Sequence, residues 1–287
     1  MGSTRYYGRY EGMLVDNKFA VTDDAWKFLS PDQTVRGTTV PVVHWELGGA
    51  EVQNRSGGAA AVGVGVHVHP SRWIAGTLTS AGVAAPFTDD TADAQSAAVT
   101  DFPLETTTND SGHLLACAEK FNLICYTVGT ASASGPAPVR TILYSAADGT
   151  MKTIGTGVWY VGPPTGAIGA EWAYGERAIW FPTPGDFVPA DSRHTTQAVL
   201  WGNYVVIVRA TTAPTTTAGV ASQVTLGYMT QTKAAVANNG TADFDLGGIG
   251  APVAGAHLAF AVSQDTDTAN VANTGGSFAT ILAHPRG

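Results

Sequence analysis

Apolar and polar residues alternate along much of this chain with a period of two. Residues 62–69 place Val62, Val64, Val66 and Val68 on one face and Gly63, Gly65, His67 and His69 on the other, the pattern of a half-buried strand. The same reading predicts strands at 121–128, 139–144, 151–154, 157–161, 224–229, 257–262 and 278–282. Residues 204–209 are almost continuously apolar, as expected of a strand buried on both faces. Asp148-Gly149 supplies a tight turn before 151–154, and Gly162-Pro163-Pro164-Thr165-Gly166 stops the strand before it. Helical periodicity is scarce. Residues 23–29 form the best candidate for a helical turn, with an Asp as N-cap and Pro31 beyond its end. Residues 81–98 are Ala-rich but broken by Pro86 and Asp89-Asp90, and read as a loop.

Short strands punctuated by Gly, Pro, Thr and Asn predict an all-β fold: an antiparallel β-sandwich or a Greek-key/jelly-roll-like barrel, with two β-domains as one arrangement. No amphipathic stretch of about 12 residues is available to cross over a parallel sheet, which argues against Rossmann and TIM architectures. Residues 121–144 and 204–228 echo one another, each running strand, small-residue loop, then strand ending in Tyr. This suggests a boundary in the Pro-rich 162–190 stretch, with domains at 37–165 and 166–287. The first 36 residues stand apart. They hold ten of the chain's 38 charges, balanced in sign, and Tyr6, Tyr7 and Tyr10 sit among Arg5 and Arg9. Tyr, Trp and Arg are the residues that anchor interfaces. The segment reads as a docking arm whose partner-binding residues are Arg5, Tyr6, Tyr7, Arg9, Tyr10 and Trp26, or as an ordinary first strand of its own domain.

The 287 residues carry a formal net charge of −8 and only 13% charged residues, about half the usual share. A basic nucleic-acid binder is excluded by the shortage of Lys and Arg, and a disordered acidic chain by the 44% apolar content. No apolar run of about 18 residues is present to span a membrane. Arg5, Tyr6, Tyr7, Arg9 and Glu11 occupy the place of a secretory signal's apolar core, so synthesis in the host cytoplasm without a signal peptide is expected. The sequons at Asn54, Asn109 and Asn239 then carry no meaning. Cys117 and Cys125 are too few for a disulfide framework. They read as thiols in adjacent strands, facing each other across a hairpin that turns near 119–122.

Motifs that name a chemistry are missing: there is no Gly-x-Ser-x-Gly, His-Glu-x-x-His or Walker A. His67 and His69 lie on one strand face about 6.5–7 Å apart. They are candidate metal ligands that lack a third partner, or an interface pair. Asp265 and Asp267 are candidate calcium ligands without the Gly and Glu of an EF-hand loop, or a solvated loop, as are Asp89, Asp90 and Asp93. Cys117 or Cys125 with His113 is a conceivable nucleophile pair on a stretch that core packing also explains. Acids and aromatics concentrate at 171–191. There Trp172, Tyr174, Trp180 and Asp186 are candidate glycan-binding residues, and Glu171, Glu176, Asp186 and Asp191 candidate carboxylates of a polysaccharide hydrolase. The same region reads equally as a domain core or an oligomer contact. No cofactor and no catalytic residue is expected.

Low charge, abundant Ala, Gly and Thr, many short strands and a Tyr-bearing arm come together with stretches such as Thr-Asp-Asp-Thr-Ala-Asp-Ala-Gln (88–95), Trp-Phe-Pro-Thr-Pro-Gly-Asp-Phe-Val-Pro (180–189) and Tyr-Val-Val-Ile-Val-Arg-Ala-Thr-Thr-Ala-Pro (204–214). In this the chain resembles structural proteins of tailed-bacteriophage virions, of the capsid decoration, tail-tip and fibre-base kinds. The resemblance is one of composition and style along the whole chain and transfers no functional residue. It implies a non-enzymatic, homo-oligomeric β-protein of the virion, whose partners are further copies of itself, other virion proteins and, as an alternative role, a host-surface glycan.

Overall fold

The computed structural model describes residues 19–21, 27–28, 32–35, 38–41, 45–54, 60–67, 73–78, 87–96, 101–133, 139–155, 159–161, 172, 175–245, 258–263 and 277–285. The fold is all-β and antiparallel, as the period-two alternation predicts. It forms two compact units, residues 1–67, 227–266 and 271–287 in one and 68–226 with 267–270 in the other. They are not consecutive halves, and the Pro-rich 162–190 stretch lies inside the second unit.

In the unit formed by the chain ends, strands Phe19–Val21, Ser277–Pro285, Trp45–Gln53 and Thr241–Asp245 make one sheet in that order. Strand Ala60–His67 pairs with Leu258–Ser263 and with the stretch from Gly227 to Val236. The helical turn expected at 23–29 is corrected: Lys27–Phe28 is a strand, paired with Ala259 and Phe260. Ladder bonds to a strand more than 200 residues away override a one-turn local preference. Asp32–Val35 and Thr38–Pro41 form a hairpin. Three segments of the expected arm are thus strands, while Arg5, Tyr6, Tyr7, Arg9, Tyr10 and Trp26 lie outside the described residues. Asn54, fully buried, donates from Nδ2 to the carbonyls of Val236 (2.7 Å) and Ala237 (3.2 Å) and so fastens the 237–240 turn. There Asn239 takes φ +64°.

The central unit is a sandwich. One sheet runs Met151–Thr153, Val139–Ser145, Tyr204–Thr212, Ser111–Cys117, Trp73–Leu78, Thr88–Asp89. The facing sheet runs Trp159–Val161, Gly175–Trp180, Leu123–Thr130 and the start of Val220–Val236, against which Phe102–Pro103 pairs. Alternation sorts the side chains. Leu115, Cys117, Ile142, Tyr144, Val206 and Val208 meet Ile124, Tyr126, Val128, Ile179, Val224 and Leu226 between the sheets. Their sequence neighbours Leu114, Ala116, Leu143, Val205 and Ile207 pack on the outer face of the first sheet under Ala190 and Leu200. The segment after 180 therefore wraps from the inter-sheet core, through Phe181 and Phe187, to that outer face. This double cover is why 204–208 reads as a continuous apolar run.

Two expectations are corrected here. The 118–122 connection crosses between sheets instead of forming a hairpin, so Cys117 is buried in one sheet and Cys125 half-buried in the other, with no disulfide between them. Within the stretch read as a loop, Thr91–Gln95 is a short helix. Its anchor is tertiary: the Thr91 hydroxyl bonds the Ala75 backbone, Thr77 donates to Asp90 Oδ2 (2.6 Å), and Ala94 is fully buried. The echo between 121–144 and 204–228 has a structural counterpart. Each span crosses between the sheets, in opposite directions, and the two crossing loops meet at the Ala133–Thr217 bridge.

Candidate functional site

Among the described residues of the sandwich, two groups of ionisable side chains are built around close ion pairs. The first is buried between the sheets. His113 follows the same alternation that buries Leu115 and Cys117, and it is fully enclosed. Its Nδ1 lies 2.8 Å from the Leu104 carbonyl and its Nε2 2.8 Å from the Tyr126 hydroxyl. A carbonyl only accepts, so Nδ1 carries the proton and Nε2 accepts from Tyr126. Phe102 and Tyr126 stand edge-on to the imidazole, at 5.8 and 5.3 Å. Burial pushes the imidazole pKa down to about 4; the Leu104 bond opposes this and the Arg140 charge adds to it. Arg140 itself is forked onto Glu105, Nε to Oε2 at 2.9 Å and Nη2 to Oε1 at 2.7 Å, with the two side chains 7% and 1% exposed. Its guanidinium lies 5.1 Å from the Trp172 ring, and Trp172 packs on Tyr126 at 4.8 Å. With both nitrogens engaged by other groups, His113 is not the base of a Cys117 or Cys125 nucleophile.

The second group is at the surface, where the 146–152 turn meets the segment after 180. Gly149 takes φ +85° in the Asp-Gly turn, a conformation suited to glycine. Past that turn, Lys152 is held between Asp148 and Asp186. Lys152 Nζ sits 2.8 Å from Asp186 Oδ2 and 3.0 Å from Asp148 Oδ2, and the Tyr144 hydroxyl donates to Asp186 Oδ1 at 2.7 Å. Asp148 is lowered to about 2, chiefly by the Thr150 hydroxyl and then by Lys152. Asp186 is lowered by the Lys152 ammonium and the Tyr144 hydroxyl, and Lys152 is raised in return. Burial, with Asp186 beside it, raises Tyr144. Next along the chain, Arg193 forks onto Asp191 and lowers its pKa. Behind it buried His194 bonds the Ala146 carbonyl through Nε2 at 2.7 Å. A general acid needs a carboxyl that keeps its proton near neutral pH. Asp186 and Asp191 are both held as anions by the cations they pair with, so neither is that acid.

The other candidates fall as follows. Trp172 is 7% exposed and belongs to the core with Phe181 and Phe187. Trp180 is half-buried in its strand, and of the described glycan candidates Asp186 lies in the surface cluster. Glu171 and Tyr174 lie outside the described residues, and so do His69, Asp265 and Asp267. His67 is placed by its backbone opposite Gly227, and Glu176 by its backbone opposite Thr127. Among the described residues no three His, Cys, Asp or Glu side chains converge as metal ligands. Tyr144, Lys152, Glu105 and Arg140 were missed by sequence reasoning. Only the Asp-Gly turn signalled the first two, and nothing local signals a Glu105–Arg140 pair 35 residues apart.

No family model matches the chain, and comparison with curated proteins and with solved structures gives no significant match.

Proposed function

We propose that the chain is a non-enzymatic structural protein of the bacteriophage-virion type, in which β-sandwich surfaces and the N-terminal segment hold copies to each other and to other virion proteins. The observation that carries the non-enzymatic part is that, among the described residues, the two ionisable clusters of the sandwich just described are tied up in ion pairs. Glu105 is spent on Arg140, Asp186 and Asp148 on Lys152, and Asp191 on Arg193. The virion assignment rests on the low charge, the Ala, Gly and Thr content and the charged Tyr-bearing start of the chain. Strands at 19–21, 27–28 and 32–35 pair within their unit, so the test keeps the full chain and changes side chains. Light scattering of the full-length protein is expected to give an oligomer, and Tyr6, Tyr7 and Tyr10 together changed to Ser are expected to release folded monomers. A monomeric wild type, or a variant that assembles unchanged, would count against the arm as an assembly device.

A second reading is a receptor- or carbohydrate-binding module. The observation favouring it is Trp201, 46% exposed beside Val199 at 56% on the segment that wraps the sandwich.

A further inference from the structure

Resting on the carbohydrate-binding reading, we propose that the 191–203 loop is a saccharide platform, with the Trp201 indole as the stacking surface for a neutral pyranose. The loop is held from beneath. Leu200 is buried in the outer-face core, Ala190 N–H donates to the Asn203 carbonyl at 2.7 Å, and Gly202 N–H returns to the Ala190 carbonyl at 2.9 Å. Gly202 takes φ +81°, which lets the chain double back immediately after the indole. The His194 bond to Ala146 fastens the loop's first half. Upon this base the Trp201 Nε1–H donates to the Thr195 carbonyl at 3.0 Å. That bond spends the polar edge of the ring and restricts its rotation, so what the exposed indole presents is apolar ring surface. The electron-rich face of an indole attracts the positive C–H edge of a pyranose, as it attracts aromatic edges.

Two features of the loop select the ligand class. First, it carries amides and hydroxyls as its accessible hydrogen-bonding groups: Thr196 is exposed, and Gln197 and Asn203 are half-buried. Arg193, the loop's one guanidinium, is forked onto Asp191 at 2.7 and 3.0 Å. No unengaged cation in the loop awaits a carboxylate or sulfate, and the chain's net charge of −8 disfavours acidic sugars. Second, the apolar footprint is small. A standard protein interface covers about 800 Å² per partner, whereas the exposed large apolar side chains here are Val199 and Trp201. One ring and one isopropyl group suit one or two sugar units.

The test uses full-length protein on an array of neutral hexose and N-acetylhexosamine oligosaccharides, then calorimetric titration with the best binder. Trp201→Ala is expected to weaken binding at least about tenfold. Gln197→Ala is expected to weaken it several-fold, and Trp201→Phe to retain most of the affinity. The saccharide-induced change in tryptophan fluorescence is expected in wild type and absent in Trp201→Phe, a measurement that stands even if the Ala variant fails to fold. A wild type that binds no array member overturns both this inference and the reading beneath it. Unchanged affinity in folded Trp201→Ala, or an undiminished fluorescence change in Trp201→Phe, overturns the Trp201 platform and leaves the carbohydrate reading standing.

Discussion

Acidification tests the buried His113 centre most directly. The imidazole titrates near 6.5 in an unfolded chain and at about 4 in the fold. Protonation therefore favours the unfolded state. Stability from this group is complete above pH 6.5, drains as pH falls through the interval, and is fully lost below about 4. Each pH unit of displacement is worth about 1.4 kcal/mol, so the interval costs about 3 kcal/mol, against a typical total of about 5–15 kcal/mol. Burial of the ring sets the direction, with the Arg140 charge adding to it and the Leu104 bond opposing it, and no facing group is a free carboxylate. Tyr126 offers a hydroxyl, Leu104 a carbonyl already in use, and Glu105, the nearby carboxylate, is spent on Arg140, whose charge opposes a second cation. Urea unfolding followed by tryptophan fluorescence at pH 7, 5.5 and 4.5 reads the loss. His113→Gln is the control. It keeps an acceptor for Tyr126 and a donor for Leu104 but does not titrate, while the surface aspartates titrate alike in both proteins. Wild type is expected to lose about 2 kcal/mol more than His113→Gln between pH 7 and 4.5. Parallel pH profiles would refute the account of a neutral, doubly bonded imidazole.

Two further substitutions probe the same sandwich. Arg140→Met leaves Glu105 buried without its cation and is expected to cost about 3–5 kcal/mol in urea unfolding, whereas Glu105→Leu with Arg140→Met recovers much of it. Gly112→Ala drives a Cβ into the Val208 carbonyl oxygen and to 2.9 Å from Arg209 Cα. Backbone on a paired strand has little room to yield, so a cost near the top of the ~1–3 kcal/mol overpacking range is expected. Gly155→Ala, with nothing within 4 Å, serves as the comparison and is expected to shift stability by no more than about 0.5 kcal/mol.

The candidate sites were legible only where their signal was local. The Asp148-Gly149 turn was readable because an Asp-Gly pair dictates its own backbone. Placement of Lys152 and Tyr144 around Asp186 was not, because Asp186 arrives from a separate segment 34 residues beyond Lys152. Trp172 and Trp201 illustrate the same limit. Both are tryptophans near small and polar residues, yet one is 7% and the other 46% exposed. Trp172 meets Tyr126, Arg140 and Gly219 from three distant parts of the chain, while the neighbouring Leu200 takes the inward place in the Trp201 loop.

Period-two alternation by itself determined that the chain is all-β, because side chains of a strand alternate between faces and burial of one face writes itself into the sequence. It also determined that 204–208 is covered on both sides, since only such a strand tolerates consecutive apolar residues. Tertiary structure decided everything that depends on which strand lies beside which. Lys27–Phe28 became a strand because Ala259 and Phe260 offered it a ladder. Cys117 and Cys125 parted because the five residues between their strands cross from sheet to sheet. The two ends of the chain fell into one unit because Phe19–Val21 found its partner in Ser277–Pro285. Pairing energies of that kind come from contacts remote in sequence, and no local pattern of residues encodes them.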